Sequence, residues 1–127
     1  MSTCETQGVK VTARPTFQSE QSKPDENRWV WSYQITVVNE GDESVQLLDR
    51  HWIITDAGGE IEEVRGEGVI GQQPVLAPGE EFIYQSFCPL PTDFGFMRGS
   101  YGMTKGDGTR FKAKVAPFVL MLPALLN

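Results

Sequence analysis

The string Gly66-Glu67-Gly68-Val69-Ile70-Gly71 has the spacing GxGxxG. In a dinucleotide site such glycines allow a tight turn and a close pyrophosphate, at the N-terminus of a helix that faces the phosphates. Here Pro74 could begin a helix, but Pro78-Gly79 would end it after about one turn, which argues against a dinucleotide site. Two interpretations stay open. In the first, which we favour, the glycines are needed at a bulge or at turns with positive φ. In the second, their N–H groups form an anion-binding nest beside Arg65.

The single histidine, His51, stands between Arg50 and Trp52. Alternation along a strand places His51 on the same face as Asp49, so a hydrogen bond between them and a pH-sensitive contact are both conceivable. A structural role is the simpler interpretation. Arg50 and Trp52 are expected on the opposite face, where they could form a binding patch of residue types common at interface hot spots. No nucleophile–base pair emerges, so no catalytic residue is predicted.

Metal chemistry finds little support in the sequence. One histidine and two distant cysteines, Cys4 and Cys88, cannot supply the four nitrogen and sulfur ligands of a closed zinc site. Acidic residues near position 60 could attract Mg²⁺ or Co²⁺ loosely, but they fall on both faces of a predicted strand, and a solvated acidic edge explains them more simply. We therefore expect two free thiols, no metal site and no cofactor.

The segments that must position these residues alternate apolar and polar side chains with period two. About seven strands are predicted, separated by turn residues, at 9–14, 29–38, 44–55, 60–65, 81–88, 94–104 and 109–119. Pro15 predicts an edge strand or a bulge in the first of them. The third has bulky residues on both faces, which favours a central strand covered on both sides for part of its length. The pattern predicts an all-β, antiparallel β-sandwich of immunoglobulin or fibronectin type III type, with a small barrel as the alternative.

Length and charge narrow the classes further. The 127 residues predict a single domain, 1–127, with its core at about residues 9–122. Eleven Lys and Arg against 17 Asp and Glu give a net charge of −6, which argues against nucleic acid and anionic membranes as partners. The apolar stretch 115–126 is too short to span a membrane, so a last strand plus a packed tail is expected, or a tail that docks on a partner or a second subunit. No secretory signal is visible, which predicts a cytoplasmic protein.

Several strings together resemble the ApaG family. They are WVWSY at 29–33, LLDRHWIITD at 47–56 and VRGEGVIGQQP at 64–74, with shorter ones at 78–80, 84–86 and 97–101. The similarity runs from about residue 9 to the C-terminus and implies a fibronectin type III-like sandwich. It also implies an association with cobalt and magnesium efflux and with diadenosine tetraphosphate metabolism, without an assigned reaction. Similar domains in eukaryotic F-box proteins and a polymerase-interacting protein look like interaction modules. Cys88-Pro89-Leu90-Pro91 replaces a turn richer in Gly and Ser.

The function expected from these observations is a non-enzymatic protein-interaction module with an unidentified protein partner, and a homodimer is possible. The alternative is a small-ligand protein that binds a polyphosphate or a cation–phosphate complex on the glycine-rich loop. An enzyme is the least favoured class. The expected binding residues are Arg50, His51, Trp52, Arg65, Gly66, Gly68, Gly71 and Pro74.

Overall fold

The computed structural model describes residues 1–123, and the last residues of the predicted tail lie outside this range. Two antiparallel sheets pack face to face, which confirms the predicted all-β sandwich. The first sheet has the order β1-β2-β3-β7, with β1 Ser2–Thr6, β2 Val9–Phe17, β3 Trp29–Asn39 and β7 Glu81–Leu90. The second has the order β5-β4-β8-β9 with β6 paired to β4, and consists of β4 Val45–Asp56, β5 Ile61–Glu67, β6 Val75–Leu76, β8 Gly95–Lys105 and β9 Arg110–Leu120.

The nine strands found within residues 1–123 exceed the predicted number of about seven by β1 and β6. The sequence of β1, Ser-Thr-Cys-Glu-Thr, has no large apolar residue and only half-buries its alternate side chains, so its pattern is weak. The strand β6 has two residues, which is too short for any period to show. In the part of the chain that the structure describes, no helix is long and apolar enough to cross a membrane.

The strand that contains Pro15 is not an edge strand, but Pro15 itself lies where one side of this strand has no neighbouring strand among the described residues. The strand β2 lies between β1 and β3, but β1 begins at Ser2, which pairs with Ala13, so β1 does not reach Pro15. Pro15 therefore pairs with Tyr33 of β3 on one side and has no β1 residue opposite it on the other. Its missing N–H costs no ladder bond there.

The strand β4 is central in its sheet, as expected, between β5 and β8, and a bulge rather than cover on both faces explains its bulky residues at odd and even positions. Leu47 pairs with Met103, and Asp49 pairs with the adjacent Gly102, so Leu48 is the extra residue. The bulge shifts the alternation by one residue. Leu47 and Trp52 consequently both point into the core, although strict alternation would place them on opposite faces.

Aromatic rings fill the centre of the core. The ring of Trp52 lies edge-on to the rings of Tyr33, Tyr101 and Phe118, with centroid distances between 5.4 and 6.0 Å. The hydroxyls of Tyr84 and Tyr101 hydrogen-bond to each other and join the two sheets. Such ring pairs stabilise the core beyond the area that they bury.

The chain beyond β9 is held against the first sheet. The indole Nε1 of Trp31 donates a hydrogen bond to the carbonyl of Met121 at 3.0 Å. Leu120 is buried, and Leu122 packs partly buried against the core. These contacts agree with the expected packed tail as far as residue 122.

Candidate functional site

The glycine loop, defined here as residues 66–74, forms a tight turn at its tip. Val69 and Gln72 exchange two backbone hydrogen bonds of 2.9 Å, and the residues between them, Ile70 and Gly71, have φ of 42° and 77°. Two consecutive positive φ values are typical of a type I′ turn. Val69 is buried and anchors the turn to the core. Positive φ, one of the roles expected for the loop glycines, is therefore confirmed at Gly71 and at Gly68, whose φ is 63°, but not at Gly66.

The backbone donors of this loop are largely used within the protein. The N–H of Gly68 donates to the carbonyl of Leu48 at 2.7 Å, and the N–H groups of Val69 and Gln72 are taken by the turn itself. The side-chain amide of Gln73 donates to the same Leu48 carbonyl at 2.8 Å. Leu48 is the bulged residue of β4, so the bulge supplies the acceptor that holds the loop. An anion nest needs several N–H groups aimed outward at one point, and three of these groups are already bonded.

Arg50 fastens the start of the loop. Its guanidinium Nη1 donates to the carbonyl of Gly68 at 2.9 Å and to that of Glu67 at 3.2 Å. The guanidinium lies over Gly66, where an added Cβ would be 2.7 Å from its carbon. A side chain at position 66 would therefore displace the Arg50 guanidinium from this place. Arg50 and the glycines do lie together, as expected, and their contacts are structural.

Trp52 does not belong to the expected surface patch. Its side chain is 3% exposed and contributes to the aromatic core, because the bulge at Leu48 turns this part of β4 inward. The conclusion that Trp52 offers a binding surface was wrong. Pro74 lies at the far end of the loop, where its carbonyl accepts the N–H of Leu47 at 3.0 Å.

His51 pairs with a different carboxylate from the one that strand alternation suggested. Its Nε2 lies 2.9 Å from Oε1 of Glu63 on β5. The same oxygen lies 3.9 Å from Nη2 of Arg65. Asp49 instead accepts the backbone N–H of Gly102 at 3.1 Å. Glu63 therefore contacts both His51 and Arg65. Sequence alone could not show this, because the register between β4 and β5 decides which residues face each other.

A groove on the outer face of the second sheet escaped the sequence analysis. A surface cavity of about 520 Å³ is lined by Arg98, Lys112 and Lys114 together with His51 and Ser100, and we call it the outer groove. Within residues 1–123, these three cations make no ion pair. Register brings them together across β8 and β9. The alternation of Arg110, Lys112 and Lys114 on one face of β9 is the signal that could have revealed it.

The titratable groups of the core are held in their protonated forms. Burial raises the pKa of the Cys88 thiol to about 12, and the charge of Glu62 adds to this. Burial also raises the pKa of Tyr84 and of Tyr101. Cys4 and Cys88 are not joined by a disulfide. Over the described range, no group of three His, Cys, Asp or Glu side chains is arranged to hold a metal ion.

The fold and this loop define a class of all-β sandwich in which a glycine turn is hydrogen-bonded to a bulge in the neighbouring strand. The sequence model described as the ApaG domain matches residues 19–105. The Protein ApaG of Anaeromyxobacter dehalogenans strain 2CP-C is 54% identical over 127 residues, which is 100% of each chain. The Protein ApaG of Rhodospirillum centenum is 52% identical over 93% of this chain and 91% of that protein.

A solved structure agrees with these relatives. The crystal structure of the putative ApaA protein from Bordetella pertussis has a TM-score of 0.89 and 45% identity to this chain, and the alignment covers 91% of this chain and 94% of that one. The chain belongs to the ApaG family.

Proposed function

We propose that this chain is a non-enzymatic protein-binding domain whose contact surface is the tip of the glycine loop. The observation that carries the proposal is Ile70. Its side chain is 59% exposed at the turn, and its φ of 42° is one that a β-branched residue rarely adopts. Such a conformation costs about 1–3 kcal/mol and persists only where the surrounding structure enforces it. Here Gly68, Gly71 and the bonds to Leu48 enforce it.

The chemistry around the tip favours a protein partner. An exposed aliphatic side chain gains free energy by burial against another apolar surface. Arg65 is exposed on the adjacent strand and can add a polar contact at the rim of such an interface. The absence of a nucleophile–base pair in the sequence argues for binding without catalysis. The family association with cation efflux and diadenosine tetraphosphate would then act through a cytoplasmic protein partner.

The test compares two isoleucines that are both exposed. Asn tolerates positive φ, so Ile70→Asn relieves the strain and removes the apolar contact at once. Ile61 of β5 is 64% exposed, and Ile61→Asn is the matched control. Affinity capture from the source cell, followed by mass spectrometry, measures binding. We expect the wild type and Ile61→Asn to recover a partner protein that Ile70→Asn does not recover. Identical capture by all three proteins would contradict the proposal.

The outer groove supports a second candidate function, the binding of a polyphosphate or a cation–phosphate complex. Much of the donor capacity of the glycine loop is used within the protein, whereas the three cations of the groove form no ion pair with any residue from 1 to 123. A ligand present at about 100 times its Kd stabilises a fold by ~2.7 kcal/mol. If the groove binds phosphates, tripolyphosphate will raise the Tm of the wild type and of Arg14→Gln on the other sheet, but not of Arg98→Gln. An unmoved Tm in all three would remove this candidate.

A further inference from the structure

The two sheets end in edges that are protected to different degrees. On one side of the sandwich, β1 and β9 are tied together: Ser2 Oγ donates to the carbonyl of Ala116 at 2.8 Å, and the N–H of Lys114 donates to Thr6 Oγ1 at 3.2 Å. On the other side β5 and β7 are the outermost strands. The strand β5 carries four charged residues among seven, a composition that discourages pairing with another strand.

The strand β7 has no such protection. Its one strand neighbour among the described residues is β3, so alternate backbone N–H and C=O groups along its other side lack a ladder partner. Glu81, its first residue, is the only charged residue in the ten. Ile83 and Phe87 lie on the outer face of the sheet, 48% and 49% exposed, with Gln85 between them. Natural proteins rarely leave a long, uncharged edge of this kind uncovered.

We propose that β7 pairs antiparallel with β7 of a second copy of this chain, about a two-fold axis at Gln85. The pairing joins the two four-stranded sheets into one continuous sheet, and it satisfies the unpaired backbone groups of both edges. The interface is isologous, since the same strand contributes from both copies and the assembly closes as a dimer.

The residues on β7 are complementary to themselves in this register. The axis at Gln85 places Ile83 opposite Phe87 of the partner subunit, and Phe87 opposite Ile83 of the partner subunit. Aromatic and β-branched residues directly opposite each other are favourable cross-strand pairs. Glu81 falls opposite Pro89 of the partner subunit, and the two copies of Glu81 lie about 26 Å apart at a rise of about 3.3 Å per residue. No like charges meet, which favours a second copy over a charged foreign strand.

The first experiment measures mass by sedimentation velocity over a wide range of protein concentration. We expect the wild type to reach twice the monomer mass and Ile83→Lys to remain a monomer at the same concentrations. Ile61→Lys on the charged edge β5 is the matched control and should dimerise as the wild type does. Circular dichroism verifies that each variant is folded. A wild type that stays monomeric throughout, or equal loss of dimer in Ile83→Lys and Ile61→Lys, would overturn the proposal.

A second experiment tests the register itself. In the double variant Ile83→Lys, Phe87→Glu the axis at Gln85 brings opposite charges face to face twice. In Ile83→Lys, Phe87→Lys it brings like charges together. We expect the first double variant to regain the dimer at low salt and to lose it at high salt, while the second stays monomeric. Equal behaviour of the two variants would exclude this register and with it the proposed interface.

Discussion

The glycine loop and the strand β7 differ in how much of their bonding capacity the fold has already used. The loop has a sequence that suggests phosphate binding, yet the N–H groups of Gly68, Val69 and Gln72 are bonded within the protein. The strand β7 matches no motif, yet one side of its backbone pairs with no strand in the described part of the chain. The contrast teaches that the groups left without partners, rather than a motif, indicate where a molecule can bind.

The largest effect that tests this contrast is expected at Gly68. An Ala there would have to hold φ near 63°, and its Cβ would collide with the carbonyl oxygen of Gln72. Gly71 has φ of 77° but open space around it. We expect Gly68→Ala to lower the free energy of unfolding by about 2 kcal/mol or more, and the control Gly71→Ala by about 1 kcal/mol, in urea titrations. Equal losses would show that the loop is less tightly bonded than the structure indicates.

A smaller effect of opposite sign is expected at the tip. Ile70→Asn should raise the free energy of unfolding by about 0.5–1 kcal/mol, because Asn adopts positive φ at lower cost than a β-branched residue. The control Ile61→Asn lies on the surface of β5 and should change it by less than about 0.5 kcal/mol. The same urea titrations measure both. A loss of stability in Ile70→Asn would mean that the side chain stabilises the loop instead of straining it.

The loss of stability at high pH tests whether the side chains that β7 directs into the core are well packed, although one edge of the strand is open. The native protein holds the protons of Cys88, Tyr84 and Tyr101 more tightly than the unfolded chain, because burial raises their pKa values. The unfolded chain therefore binds fewer protons above pH 9, the ordinary pKa of a thiol, and the free energy of unfolding must fall as pH rises from there. Urea midpoints at neutral pH and above pH 9 measure this. A constant midpoint would contradict the burial of these groups.

Hydrogen exchange compares the protection of backbone amides in the glycine loop and in β7 directly, and it needs no variant that changes the stability of the fold. The amides of Gly68, Val69 and Gln72 should be protected at every protein concentration, since their acceptors lie within the chain. The outward amides of β7 should exchange quickly in dilute protein and gain protection as concentration rises. Protection of both regions independent of concentration would mean that the edge of β7 is covered by the chain itself.

Much of the fold could be predicted because burial on one face leaves a period of two along a strand. The strands β3, β7, β8 and β9 were predicted within a few residues, since alternate side chains are buried along most of their length. The strand β1 could not, because its half-buried side chains are small or polar. Around the site, positive φ was one of the roles predicted for the glycines because glycine adopts that region at no steric cost, and Gly68 and Gly71 have it.

The sequence by itself determined the all-β class and the turn chemistry of the glycine loop, because both depend on residues close together in the chain. Only the tertiary structure decided that Trp52 lies in the core, since a single bulge at Leu48 reversed the faces of β4. It also decided that His51 hydrogen-bonds to Glu63, and that Arg98, Lys112 and Lys114 line one groove. These relations depend on strand register, which is set by the whole core at once and which no short stretch of sequence contains.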